Sequence, residues 1–230
     1  MKSEKSEQVR AGCARCPFKI SDRLCRETTG KSPDFCPTAN LEILTEKSRD
    51  EYRNDPEICE FARQASIQEG TGYGNRELGY EQVRPIKTRI EEIVEFAGRM
   101  NYKRLGIAFC VGLRKEAMIV ENFIGSKGFD MVSVVCKVGR SSKEMIGLGR
   151  EEQIDMGRDE AMCNPILQAM VLNHEKTELN ILLGLCVGHD SMFFKYSDAP
   201  CTVLAVKDRV LGHNPLAAIF TLDSYYRSLK

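Results

Sequence analysis

Short apolar runs separated by amphipathic stretches set the rhythm of the chain from residue 104 onward. The runs "LGIAFC", "MVSVVC", "LNILLGLC" and "CTVLAVK" are continuous rather than alternating, the pattern of strands buried on both faces. Helical stretches separate them at 113–126, weakly around 141–148, at 164–173 and 191–196, with a last one after Pro215. This alternation predicts an α/β fold with a doubly wound, mostly parallel sheet and right-handed crossovers. Its strands are expected near 104–110, 131–136, 179–186 and 202–206. Residues 41–100 read as helical. In "NDPEICEFARQASIQEG", Asp55 is the expected N-cap, Pro56 the first helical residue and Gly70 the stop, with Ile58, Phe61, Ala62 and Ala65 on one face. A second helix is expected from about Pro85 to Met100, with Ile86, Ile90, Ile93, Val94 and Ala97 apolar. The glycine-rich "GTGYGNRELGY" between them follows no strand and carries little weight as a phosphate loop. Residues 1–40 have almost no apolar periodicity. Three parts are therefore expected: a module at 1–40, a helical segment at 41–100 and an α/β domain at 101–230.

Composition narrows the function classes. Of 230 residues, 42% are hydrophobic and 29% charged, which excludes a disordered chain. Lysine plus arginine and aspartate plus glutamate number 33 each, so no net charge argues for nucleic acid or an anionic membrane as partner. The start "MKSEKSEQVRAG" has no apolar core, and no run approaches the roughly 20 apolar residues of a spanning helix. A cytoplasmic protein is expected. Ten cysteines then change the picture, because in a reducing compartment metal binding or thiol chemistry explains them better than disulfides.

Four of them lie in "CARCPFKISDRLCRETTGKSPDFCPT": Cys13, Cys16, Cys25 and Cys36. A C-x2-C turn brings two sulfurs to one centre, and the short loops that follow can bring two more. Four thiolates suffice for a closed tetrahedral zinc or for an iron–sulfur cluster. In a segment without a core, such binding is largely folding. The single C-x2-C knuckle and the Cys16-Pro17 and Cys36-Pro37 pairs tilt the choice slightly toward iron–sulfur, with zinc still open.

A second group stands where strands end. Cys110, Cys136 and Cys186 close three apolar runs, and each is followed by a glycine that allows a sharp turn. In open α/β sheets ligands bind beyond the carboxyl ends of the strands, and helices starting there lower thiol pKa values. Cys163 joins from "MCNPIL", just before the expected cap Asn164 and Pro165. His189 and Asp190 follow Cys186, and His213 follows the last strand. The four rim cysteines are candidate cofactor ligands, and Cys186, His189, Asp190 and His213 candidate catalytic groups. The plain alternative is that strand-end cysteines are packing residues. Arg114 and Lys143, at neighbouring helix starts, read as solvated charges.

The segment ending "FCPT", together with "CNPILQAMVLN", "LGLCVGHDS" and "VKDRVLGHNP", resembles an uncharacterised prokaryotic family of cysteine-rich metal-binding proteins, a domain of unknown function. The resemblance runs over most of the chain. It implies metal binding through Cys13, Cys16, Cys25 and Cys36 and names no reaction. Three functions stay open. One is a metal- or cluster-dependent redox or thiol enzyme, acting on a small molecule or a redox partner. Another is a non-catalytic zinc-binding or metal-sensing protein. The third is an α/β enzyme with Cys186 as nucleophile and His189 or His213 as base.

Overall fold

The computed structural model describes residues 10–229. The chain divides into two compact units between Ser66 and Ile67.

In the first unit, a 3-10 turn at Cys13–Arg15 carries the C-x2-C pair, and Cys16 N–H donates to Cys13 C=O at 3.2 Å. The loop after it folds back on itself, with Leu24 N–H donating to Lys31 C=O at 2.9 Å and Lys31 N–H to Asp22 C=O at 2.7 Å. Gly30 makes that fold possible, since a Cβ there would lie 2.4 Å from the Arg23 carbonyl carbon. Cys36 caps a single helical turn, α1 (Pro37–Asn40), with proline at its first position. Two longer helices follow, α2 (Glu42–Asn54) and α3 (Pro56–Thr71). Asp55 caps α3 as expected, its Oδ1 accepting from Glu57 N–H at 2.9 Å and Ile58 N–H at 3.1 Å. The face expected to be apolar is not buried: Ile58 and Ala65 are exposed. No residue from 10 to 66 is buried.

The second unit starts from the end of α3 and a small antiparallel pair, β1 (Tyr73–Gly74) with β2 (Arg84–Pro85). Pro85, expected to open a helix, sits in β2 instead. The helix α4 (Arg89–Arg99) begins where Thr88 and Glu91 form a capping box, Thr88 N–H donating to Glu91 Oε2 at 2.8 Å. The α/β layers follow: β3 (Arg104–Phe109), α5 (Arg114–Gly125), β4 (Asp130–Val135), α6 (Pro165–His174), β5 (Leu179–Leu185), α7 (His189–Tyr196), β6 (Cys201–Val206) and α8 (Leu216–Phe220). The expected weak helix around 141–148 is only a 3-10 turn at Lys143–Ile146, ended by Gly147 in the left-handed region at φ 83°. Glycines at 147 and 149 leave too little helix propensity to extend it.

The sheet is parallel throughout, in the order β4-β3-β5-β6. Both faces are covered. Ile93 and Ala97 of α4 and Ala117, Val120 and Ile124 of α5 pack with Leu105, Ile107, Leu179 and Ile181 on one side. Ala169 and Leu172 of α6 and Phe193 of α7 pack with Ala108, Val134 and Leu182 on the other. This is the α/β architecture expected from the apolar runs. The chain runs outward from β3 to β4 on one side and from β5 to β6 on the other, so the strand order reverses between β3 and β5. Crevices of this kind, beyond the carboxyl ends of the strands, are where doubly wound sheets take ligands.

Among the described residues, no helix is long and apolar enough to cross a membrane.

Candidate functional site: two sets of thiols

All ten cysteines are free thiols. In the first unit, Cys13, Cys16, Cys25 and Cys36 line one cavity of about 50 Å³ with Arg23, Phe35 and Thr38. The Cys36 thiol is shifted below its ordinary pKa, chiefly by the Ala39 N–H it accepts from and further by Thr38. Desolvation opposes that shift, and the exposed helix turn outweighs it. Cys59, on α3, does not line the cavity. Among the described residues, no group of three or more Cys, His, Asp and Glu side chains is set as a metal site.

At the rim of the sheet the register does the assembling. Phe109 pairs with Val135 across β3 and β4, so the next residues, Cys110 and Cys136, are neighbours on the same face. Cys136 N–H donates to Phe109 C=O at 2.8 Å, and Asn164 N–H donates to Cys136 C=O at 2.7 Å, which brings Cys163 in beside it. The cap of α6 fixes this approach, with Leu167 N–H donating to Asn164 Oδ1 at 2.9 Å. Cys136 is buried, 3% exposed, while Cys110 and Cys163 are half-buried.

The three sulfurs form a chain, with Cys136 hydrogen-bonded to Cys110 on one side and to Cys163 on the other. The bond from Cys136 holds the Cys110 thiol down, to about 5, with help from the Gly112 N–H and the Lys207 ammonium against the cost of burial. The Cys163 thiol falls to about 4, first through Cys136 and then through a hydrogen bond with His189. Cys136 itself is pushed up, because the Cys110 and Cys163 sulfurs on either side both draw on its one proton and burial favours the neutral thiol, although Val111 N–H donates to its sulfur at 3.3 Å. Two thiolates therefore flank one protonated thiol.

Cys186 does not join them. Gly184 takes φ 68°, and the β5–β6 register slips on both sides of Leu183. Leu183 packs on the α4/α5 face, yet Leu185, two residues on, packs on the α6/α7 face. The bulge reverses the alternation, so Cys186 falls out of phase with Cys110 and Cys136. Its sulfur instead accepts from Arg209 Nη2 at 3.1 Å. Gly184 is required there, since a Cβ would lie 2.2 Å from Leu113 Cδ1.

The other expected groups separate as well. His189 reaches Cys163 from the first residue of α7. Asp190 Oδ1 accepts from Ser191 N–H at 2.8 Å in its own helix turn. His213 is occupied by its own loop, Nδ1 lying 3.0 Å from Val206 O and 3.2 Å from Asp208 N. Lys143, read as a solvated charge, is paired with Glu160 at 2.8 Å. Glu160 is lowered to about 2, chiefly by that lysine, and also accepts from Ile154 and Asp155 N–H, which ties down the segment between β4 and α6. Lys207, beside Cys110, was missed. Its only signal is its place at the carboxyl end of a strand, in "CTVLAVK".

The fold and the rim together define a parallel, doubly wound α/β protein whose strand ends carry clustered thiols. Residues 36–204 match the family described as Protein of unknown function (DUF1847), and the chain belongs to that family. A similar protein is the uncharacterized MJ0455 of Methanocaldococcus jannaschii, 45% identical over 183 residues, covering 80% of this chain and 86% of its own length. The matched segment contains Cys36 and the whole rim set Cys110, Cys136, Cys163 and His189.

Proposed function

We propose that the protein binds one metal centre through Cys13, Cys16, Cys25 and Cys36 and carries out thiol chemistry at the sheet rim through Cys110, Cys136 and Cys163. The carrying observation is that four cysteines spread along a segment with no buried residue line a single cavity. Without a core, that segment needs a cross-link, and four thiolates on one centre supply it. The donor set fits: four sulfurs suit a closed zinc site or an iron–sulfur cluster. Bound zinc supplies a structural cross-link, and a cluster adds one-electron transfer. The lowered thiol of Cys36 favours ligation, since the thiolate is the ligand. At the rim, two thiolates beside a protonated thiol support nucleophilic thiol chemistry more than packing.

Anaerobic purification followed by metal analysis and a visible spectrum tests the first half. One zinc per chain without visible absorption, or iron and sulfide with a broad visible band, supports the reading. Metal content unchanged by Cys13→Ser and Cys36→Ser would overturn it.

A further inference from the structure

We propose that Cys110 and Cys136 are a redox-active pair that reduces a disulfide of a small thiol, Cys110 attacking and Cys136 resolving, with Cys163 taking the resolving proton. The proposal rests on the reading that the rim does thiol chemistry and is independent of the metal centre.

Geometry selects the pair. Cys110 and Cys136 directly follow register partners in adjacent parallel strands, which lie about 4.8 Å apart. A disulfide takes Cα separations of roughly 4.4–6.8 Å, so the bond needs little backbone movement. Access assigns the roles. Cys110 is half-buried and can meet a substrate sulfur, whereas Cys136 is shut away and can meet only a neighbour already in place. A Cβ on Gly112 would lie 3.9 Å from both Cys110 Sγ and Lys207 Nζ, so the attacking sulfur sits beside a cation and a bare backbone. That setting stabilises the attacking thiolate and the thiolate that leaves.

The step balances. Cys110 Sγ⁻ attacks one sulfur of R–S–S–R, the substrate S–S bond breaks, and R–S⁻ leaves with Cys110 held as the mixed disulfide. With Cys110 now a neutral mixed disulfide, the charge that most raised Cys136 is gone, the one proton shared by Cys136 and Cys163 moves onto Cys163 Sγ, and Cys136 Sγ attacks Cys110 Sγ. The mixed disulfide breaks and a second R–S⁻ leaves. Two protein thiols are oxidised to the Cys110–Cys136 disulfide, the substrate is reduced to two thiolates, and Cys163 ends protonated. His189, bonded to Cys163, positions that acceptor and is a positioning residue in this step.

The test uses the full-length protein with glutathione disulfide as probe, acid-quenched over time and mapped by peptide mass spectrometry. In the wild type a Cys110–Cys136 linked peptide is expected to accumulate. Cys136→Ser and Cys136→Ala should stop with glutathione on Cys110. Cys163→Ala should leave the first attack within a few-fold while prolonging the mixed disulfide by tenfold or more, on the order of a lost general base. Glutathione trapped on Cys163, or a Cys136–Cys163 linkage, overturns the assignment of roles and leaves rim thiol chemistry standing. No reaction at any of the three rim thiols overturns both. The wild-type map needs no variant to fold, so neither result depends on the substitutions.

Discussion

The two units hold their cysteines by opposite means. In residues 10–66 nothing is buried, Ile43 stands 76% exposed, and four thiols surround a cavity. In the second unit every buried hydrophobic of the described chain, from Ile93 to Phe193, lies under or around the sheet, and three thiols sit on its edge. The first set has no scaffold and would have to make one by binding. The second is placed by strand register whether or not anything binds. Equal cysteine content thus stands in two settings: in the first unit four thiols line a cavity in a segment without a core, while at the rim three thiols set by strand register hold each other at shifted pKa values.

The largest effect expected from this contrast is selective unfolding. If the proposed centre is bound, a chelator strong enough to strip it should leave residues 10–66 open to proteolysis, since structural metal binding is worth on the order of 10 kcal/mol. The strands β3 to β6 should keep their hydrogen-exchange protection. Loss of protection in both units together would break the comparison. The converse comes next. Gly184→Val forces a branched side chain into the left-handed region and against Leu113, and should cost the second unit about 3 kcal/mol, read as a lower Tm. Metal content should not change.

A smaller effect concerns pH. Because the Cys110 and Cys163 pKa values are lowered to about 5 and about 4, both should alkylate at pH 6 nearly as fast as at pH 8, while Cys136 stays slow. Lys207→Met should move the Cys110 profile upward and slow it several-fold at pH 6, leaving Cys163 unchanged. A Cys110 profile identical with and without Lys207 would remove the lysine from the site. The smallest effect belongs to Glu160. A carboxylate lowered in the fold contributes stability above its unfolded pKa and loses it as pH falls toward about 2. Lys143→Met should therefore cost about 1 kcal/mol at pH 7 and progressively less below pH 4, by denaturant titration.

Strand positions were legible because short continuous apolar runs such as "LNILLGLC", each bounded by an amphipathic helical stretch, fit a sheet covered on both faces and little else. Convergence of Cys110 and Cys136 was legible too, since both end parallel strands. The failure at Cys186 came from one backbone angle. The expectation assumed unbroken alternation along β5, and Gly184 looked like any strand glycine until its φ was known. His213 misled for a related reason, because a histidine after a strand reads the same whether it faces a ligand or closes its own turn. Lys207 was visible only as a charge among many, its meaning fixed by β6 lying beside β5.

The contrast between the two sets of thiols is tested most directly by measuring metal content and glutathione-disulfide reduction side by side in Cys36→Ser and Cys110→Ser. Cys36→Ser should lose the metal and keep the Cys110–Cys136 linkage within a few-fold of the wild-type rate. Cys110→Ser should keep the metal and lose the linkage. Variants that lose both properties together, or a Cys110→Ser protein stripped of its metal, would contradict the division of labour.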